Sequence, residues 1–253
     1  MPFLDRPDGA RLYHEVHGRA DGEPLVLLEG LGGDIGGWRR NLPRLAAELR
    51  VVAFDHRGNG QSTAPDVPMT MATLVDDVVA LLDNLAVDRP HLYGQSLGGM
   101  VAQELGLTRS ERVRSLILGC THAGVRHSSP VRARVTKARP WEALYSERFL
   151  REHPDEVQAD LRAGTPQAPS MARRQWEAMQ GFDAYDRLPS LGVPTLVLHG
   201  TEDRTVHPDN ARMLAERIPG ARLVLLEGAG HVYHAEQPEA SDAAVLEFVR
   251  SVP

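Results

Sequence analysis

Three residues along the chain have side chains that could together perform nucleophilic catalysis by a hydroxyl group. Ser96 lies between two glycines in Gly94-Gln95-Ser96-Leu97-Gly98, after a short apolar run and before a helical pattern. A serine hydroxyl is a weak nucleophile near neutral pH, so it needs a general base that a carboxylate holds in place. His231 and Asp203 are the candidate base and carboxylate, because each follows a later apolar run and the chain order is Ser, Asp, His.

The glycines around Ser96 favour a sharp turn between a strand and a helix. Such a turn pushes the serine out at the carboxyl edge of a sheet, and the glycines avoid collisions with the strand and the helix. The run 91–93 predicts the strand, and 97–107 predicts the helix. The amino terminus of that helix would point the backbone N–H of Leu97 at a developing oxyanion.

Asp203 and His231 are predicted to lie at the same edge of the sheet as Ser96. Apolar runs at 195–198 and 222–226 are typical of strands, and the two residues lie in the loops that follow them. Ligands of open α/β sheets bind outside the carboxyl ends of the strands. The three candidate residues should therefore meet in one cleft.

Each partner of Ser96 has a neighbour that could replace it. Glu202 could orient the base, but the spacing from Gly200 favours Asp203. His234 lies three residues beyond His231, and we interpret it as a pocket or surface residue. A metal site is not expected, because no His-Glu-x-x-His helix or third ligand accompanies the two histidines.

Apolar runs alternate with helical periodicity over most of the chain, which is typical of a parallel sheet with helices packed on it. The turn residues Asp8-Gly9 predict an opening hairpin. Continuous apolar runs indicate strands that are covered on both faces. Further strands are predicted at 25–28, 51–55 and 115–119, and further helices at 38–49, 73–85, 208–217 and 238–249. No strand-like run appears between 122 and 189, so we expect a helical insertion that lies on the core as a cap.

Composition narrows the classes of partner. The formal charge is −6 at pH 7, and lysine and arginine do not cluster, so nucleic acid is not expected as a partner. No run approaches the roughly eighteen apolar residues of a membrane span, and the first residues do not resemble a signal peptide. A single cysteine, Cys120, excludes an internal disulfide and fits a reducing compartment. We expect a cytoplasmic protein with a small-molecule substrate and no membrane partner; the oligomeric state stays open.

Several motifs together resemble the α/β-hydrolase superfamily over nearly the whole chain, in particular its branch of small esterases, lactonases and cofactor-free haloperoxidases. The motifs are Gly94-Gln95-Ser96-Leu97-Gly98-Gly99-Met100, Asp55-His56-Arg57-Gly58-Asn59-Gly60-Gln61-Ser62, Gly200-Thr201-Glu202-Asp203, and Gly228-Ala229-Gly230-His231 with Glu236-Gln237-Pro238-Glu239. The resemblance implies an α/β-hydrolase fold: a mostly parallel central sheet with helices on both faces and a helical cap. The core would comprise 1–121 and 190–253, and the cap 122–189.

The resemblance also implies roles for the site residues. Ser96 would be the nucleophile, Asp203 the orienting carboxylate and His231 the general base and acid. The oxyanion hole would use the backbone N–H groups of Leu31 and Leu97. No cofactor and no metal would be needed.

The expected reaction is cleavage of a carboxylic ester or lactone through an acyl-enzyme on Ser96. Apolar residues of the insertion predict a moderately sized, hydrophobic substrate. The residues proposed to line its pocket are Glu29, Trp141, Tyr145, Trp176 and Val232. Thioester hydrolysis, carbon–carbon bond hydrolysis, a perhydrolase side activity, a lyase or cyclase reaction and a non-catalytic ligand-binding role stay open as alternatives.

Glu29 departs from the family pattern, in which histidine often precedes the glycine of the oxyanion loop. An ionised carboxylate about 6 Å from the oxyanion would oppose the transition state by roughly 3 kcal/mol at an effective dielectric of about 20. Loss of one oxyanion donor costs about 2.7 to 4 kcal/mol, which is comparable. Glu29 should therefore bind a backbone N–H or Arg57, stay protonated, or take part in the chemistry.

Overall fold

The computed structural model describes residues 2–129 and 139–253, and one sheet of eight strands runs through them. The apolar runs form these strands: Leu25, Val26, Leu27 and Leu28, for example, are fully buried. The strands are β1 (Phe3–Asp5), β2 (Arg11–Gly18), β3 (Pro24–Leu28), β4 (Arg50–Phe54), β5 (His91–Gln95), β6 (Ser115–Gly119), β7 (Thr195–Gly200) and β8 (Arg222–Leu226).

The sheet order is β1-β2-β4-β3-β5-β6-β7-β8. β1 and β2 form the predicted antiparallel hairpin, and β2 also pairs antiparallel with β4. Every later pair is parallel, from β3 with β4 to β7 with β8. The carboxyl ends of β5, β7 and β8, which the candidate site residues follow, therefore lie at one edge.

Helices cover both faces of the sheet, as predicted for an α/β-hydrolase fold. Alternate residues of a strand point to opposite faces. Val26 and Leu28 pack with helices α2 and α3, whereas Leu25 and Leu27 pack with Trp38 and the last helix, α9. The helices are α1 (Leu42–Ala46), α2 (Met71–Asn84), α3 (Leu97–Thr108), α4 (Glu147–Glu152), α5 (Pro154–Ala163), α6 (Pro169–Gln180), α7 (Asp209–Arg217), α8 (Tyr233–Glu236) and α9 (Pro238–Ser251).

The prediction of one helix over 38–49 was wrong. The chain forms a short 3-10 turn, Ile35–Trp38, and then the separate helix α1. Pro43, which cannot continue a helix from upstream, stands in the first turn of α1, so α1 begins there as a separate helix. Among residues 2–129 and 139–253, none of the helices is long and apolar enough to cross a membrane.

The described residues between β6 and β7 form helices and 3-10 turns but no strand. A small apolar cluster of Tyr145, Phe149 and Val157 holds α4 and α5 together. Asp160 of α5 pairs with Arg39 and, at 3.1 Å, with Arg40, which directly follow the 3-10 turn Ile35–Trp38. We propose that residues 122–189 form a cap over the carboxyl edge of the sheet; residues 130–138 of this segment lie outside the described part of the chain.

Replacing Gly98 by alanine should destabilise the fold, because a Cβ there would lie 2.0 Å from the backbone oxygen of Leu28. Helix α3 would have to move away from β3, and we expect a loss of about 3 kcal/mol in the free energy of unfolding, measured by urea denaturation. Gly192→Ala is the control, since a Cβ at Gly192 meets nothing within 4 Å. Equal stability of the two variants would contradict this explanation.

Candidate active site

Ser96 occupies a strained turn between β5 and α3. Its φ of 52° and ψ of −111° are unusual for a residue with a side chain, and such outliers persist only where the surroundings hold them. The Ser96 N–H donates to the Gly119 oxygen at 2.9 Å, and the Thr121 hydroxyl donates to the Ser96 oxygen at 2.8 Å. A Cβ at Gly94 would lie 2.2 Å from the Gly98 oxygen, so this turn requires glycine at 94.

Asp203 and His231 are in direct contact. His231 Nδ1 lies 2.8 Å from Asp203 Oδ2, and the backbone N–H groups of Thr205 and Val206 donate to Asp203 Oδ1 at 2.7 and 2.8 Å. Burial alone would raise the pKa of Asp203, but the charge of His231 and the hydrogen bonds from the two histidines His231 and His199 hold the pKa below its usual range. An ionised Asp203 fixes the proton of His231 on Nδ1, which leaves Nε2 free to accept one.

Ser96 and His231, the candidate nucleophile and base, both line one cavity of about 630 Å³. Asp203 lies behind His231 and is buried, with 5% of its surface exposed. Of the predicted pocket residues, Glu29, Tyr145, Trp176 and Val232 line the cavity. Leu31, one of the two predicted oxyanion donors, also lines it, whereas Leu97, the other, is not among the lining residues. Trp141 is not among the lining residues. It packs against the cluster of Tyr145, Phe149 and Val157 instead, where contact between apolar side chains removes them from water.

The two predicted oxyanion donors flank Ser96. Leu97 is the first residue of α3, and Leu31 follows Gly30, which passes so close to Ser96 that a Cβ on Gly30 would lie 3.2 Å from the Ser96 Cβ. Neither amide donates to a protein acceptor within the described residues. An oxygen bound between them would find two unused N–H groups, as an oxyanion hole requires.

His122 is a cavity residue that the sequence reasoning missed. The backbone N–H of Gly124 donates to its Nδ1 at 3.1 Å, so the neutral ring carries its proton on Nε2. Burial lowers the pKa of His122 to about 4, which keeps the ring neutral near pH 7. Its position just after β6, at the same sheet edge as the other site residues, was the available signal.

Glu29 turns back to its own chain, and the alternative of a bond to Arg57 was wrong. Glu29 Oε2 accepts the Gly30 N–H at 2.8 Å, whereas Arg57 pairs with Asp77 and with Asp8. Burial, opposed in part by the Gly30 hydrogen bond, raises the pKa of Glu29 to about 7. The carboxyl group can therefore carry or lack its proton near neutral pH.

Cys120 lies beside the base, with its sulfur 3.8 Å from His231 Nε2. Cys120, Asp203 and His231 are close enough to be considered as metal ligands. Burial raises the pKa of the Cys120 thiol well above its ordinary value, and metal binding needs the thiolate. His231 Nδ1 is engaged by Asp203, so we assign no metal to this group.

Comparison with known proteins identifies the family to which this chain belongs. Residues 16–244 match the model of the alpha/beta hydrolase family, and the chain belongs to that family as an enzyme of the α/β-hydrolase type. RutD of Azorhizobium caulinodans, a proposed carbamate hydrolase, is 33% identical, with 98% of each chain covered.

Two solved structures are similar over almost their whole length. The enol-lactonase of Burkholderia xenovorans LB400 is 28% identical with a TM-score of 0.87, and covers 99% of this chain and 100% of its own. A thermophilic esterase of Thermogutta terrifontis is 29% identical with a TM-score of 0.86, and covers 99% of this chain and 97% of its own.

The raised pKa of Glu29 predicts a pH-dependent effect of Glu29→Gln on stability. Because folding raises the pKa of Glu29 from 4.5 to about 7, ionising this side chain costs more free energy in the folded protein than in the unfolded chain. The wild type is therefore more stable at low pH, and this extra stability is lost as the pH rises from about 4.5 to about 7. Glutamine stays neutral, so Glu29→Gln does not lose this stability. The free energy of unfolding of the variant minus that of the wild type should be about 3 kcal/mol larger above pH 7 than at pH 4.

Urea denaturation of both proteins between pH 4 and pH 8 measures this difference. Glu202→Gln makes the same chemical change at an exposed position and should show no such trend. A difference between Glu29→Gln and wild type that stays constant over this pH range would mean that Glu29 does not titrate as described.

Proposed function

We propose that this enzyme is a serine hydrolase that cleaves carboxylic esters or lactones of moderately sized, hydrophobic small molecules through an acyl-enzyme on Ser96. The observation that carries the proposal is the shared cavity: Ser96 and a His231 that is hydrogen-bonded to Asp203 both line it. The similarity to an esterase and an enol-lactonase supports the same class of reaction.

In the proposed acylation, Ser96 Oγ attacks the substrate carbonyl carbon while its proton passes to His231 Nε2. The carbonyl oxygen becomes an oxyanion and takes hydrogen bonds from the Leu31 and Leu97 N–H groups. The carbon–oxygen bond to the alcohol then breaks, and His231 returns the proton to the alcohol oxygen. Asp203 stays ionised and stabilises the transient imidazolium.

Deacylation repeats these steps with water as the nucleophile. His231 takes a proton from water, the hydroxide oxygen bonds to the acyl carbon, and Ser96 leaves with that proton. A lactone differs only in that its alcohol remains attached to the acyl chain, so ring opening yields a hydroxy acid.

The cavity wall supports a hydrophobic substrate. Three of its large apolar side chains remain partly exposed: Leu31 at 39%, Leu161 at 38% and Trp176 at 52%. Solvent-exposed apolar surface beside a cavity favours a ligand that covers it. We propose that these three residues contact the apolar part of the substrate.

Carbamate hydrolysis is a second candidate, because the relative in Azorhizobium caulinodans is named for it and is similar over 98% of both chains. A carbamate presents the same acyl carbon to Ser96 and would pass through a carbamoyl-enzyme. p-Nitrophenyl carbamate, which releases the same p-nitrophenol as the esters in the assay below, tests this second candidate directly.

Replacing Ser96 by alanine should abolish hydrolysis of p-nitrophenyl esters of graded chain length. A fluorophosphonate probe should label wild type at Ser96 and leave the variant unlabelled, because the covalent step needs the hydroxyl oxygen. Thermal denaturation of the variant checks that it is folded. Unreduced turnover in Ser96→Ala, or wild type that neither hydrolyses nor is labelled, would reject the proposal and favour a non-hydrolytic role.

Replacing Asp203 by asparagine should lower kcat by roughly 10⁴, because the amide favours the wrong tautomer of His231. Glu202→Gln is the matched control, since Glu202 is the adjacent carboxylate and is exposed. A larger loss in Glu202→Gln than in Asp203→Asn would make Glu202 the orienting residue.

A further inference from the structure

Glu29 is a polar group in the cavity wall that the proposed reaction does not use. Its side chain is 8% exposed, and the residue lines the cavity with Ser96 and His231. Oε2 accepts the Gly30 N–H at 2.8 Å, whereas Oε1 has no hydrogen bond to the described residues. The nearest basic nitrogen, His234 Nε2, is 3.9 Å from Oε1, which is too far for a hydrogen bond.

The chain makes room for this carboxyl group. A Cβ at Gly33 would lie 2.6 Å from Glu29 Oε2, and a Cβ at Gly37 would lie 2.4 Å from Oε1. His234 closes another side, with its ring 4.7 Å from that of Trp38. The carboxyl group is therefore confined, with one oxygen bonded and the other without a partner.

The position of Glu29 relates it to the reacting carbonyl. Gly30 joins it to Leu31, the proposed oxyanion donor, and Gly30 lies against Ser96. A substrate bound at Ser96 would occupy the cavity that Glu29 also lines. A ligand that fills the cavity would remove water from Oε1, which costs free energy unless the ligand itself donates a hydrogen bond to this oxygen.

We propose that Glu29 determines specificity: its Oε1 accepts a hydrogen bond from an O–H or N–H group that the substrate carries close to the reacting carbonyl. The inference rests on the proposed function at Ser96 and names the substrate class more closely. Esters with such a donor are preferred over alkyl esters of the same size, because an alkyl group leaves Oε1 unpaired.

The protonation of Glu29 modulates this preference. The charges of Asp34 and Asp55 raise the pKa of Glu29 and that of His231 lowers it, and His234 Nε2 lies 3.9 Å from Oε1. Because Oε2 accepts the Gly30 N–H, the proton of the neutral acid is on Oε1 and makes it a donor. With a pKa of about 7, Oε1 changes from donor to acceptor as the pH rises through neutrality.

Glu29→Gln tests the proposal with little change in shape. The amide oxygen would accept the Gly30 N–H, so the NH₂ group takes the place of Oε1 and acts as a donor. Two pairs of esters differ only by hydroxyl against methyl: benzyl glycolate with benzyl propionate, and 2-hydroxyethyl phenylacetate with propyl phenylacetate. At pH 8 the ratio of kcat/KM, hydroxyl over methyl, should fall about tenfold in the variant for at least one pair, because a hydroxyl bonds more strongly to the ionised carboxylate than to a neutral NH₂ group, which can only donate to the hydroxyl oxygen.

The pH dependence adds a readout that a structural role of Glu29 would not move. In the wild type the hydroxyl-over-methyl ratio should rise between pH 6 and pH 8, and in Glu29→Gln it should stay flat. Glu247→Gln makes the same chemical change at an exposed position of helix α9 that does not line the cavity, and it should behave as the wild type. Ratios for wild type and Glu29→Gln that agree within about twofold for both pairs at pH 8 would overturn the proposal.

Binding without turnover separates this proposal from the proposed function. In the Ser96→Ala background, the dissociation constants of N-benzylglycolamide and N-benzylpropionamide compare hydroxyl with methyl directly, as do those of N-(2-hydroxyethyl)phenylacetamide and N-propylphenylacetamide. Tighter binding of the hydroxyl analogue that is lost on adding Glu29→Gln supports recognition by Glu29, even if Ser96 proves not to be the nucleophile. Equal binding of both analogues in both pairs counts against it, even if ester hydrolysis by Ser96 is established.

Discussion

The close approach of helix α3 to strand β3 is the constraint on which the rest of the site depends. Gly98 lies so near the Leu28 oxygen, and Gly94 so near the Gly98 oxygen, that neither position has space for a side chain. This contact holds Ser96 in its strained conformation at the sheet edge. The backbone of β3 that receives α3 continues directly into Glu29 and the proposed oxyanion loop, so one packing contact brings the proposed nucleophile and the proposed donors close to each other.

Two buried carboxylates near the site differ in how well their charge is satisfied. Asp203 receives two backbone N–H groups and contacts His231 and His199, so it stays ionised inside the protein. Glu29 receives one N–H, and burial leaves its pKa close to neutrality. The same functional group thus acts as a fixed charge in one place and as a titratable hydrogen-bonding group in the other, because solvation by the backbone differs.

Glu236 links the proposed cap to the candidate base. Its carboxylate accepts the Ser146 N–H and hydroxyl at 2.8 and 2.7 Å, and the Gly230 N–H at 3.1 Å. Ser146 precedes α4, and Gly230 precedes His231, so the start of the proposed cap helix and the loop of the candidate base share one half-buried acceptor. The motif containing Glu236 was recognisable in the sequence, but this bridging role was visible only in the structure.

The sequence by itself determined the strands, most of the helices and the turn at Ser96, because apolar periodicity and glycine spacing act locally. Only the tertiary structure decided which polar residues share a cavity. His91 contacts Ser115 at 2.7 Å and Glu23 at 3.0 Å, a serine, histidine and carboxylate in a row, yet these residues do not line the cavity of Ser96. The two groups of residues differ in whether a substrate can reach them. Packing in three dimensions decides this, because the walls of the cavity come from chain segments that are far apart in the sequence.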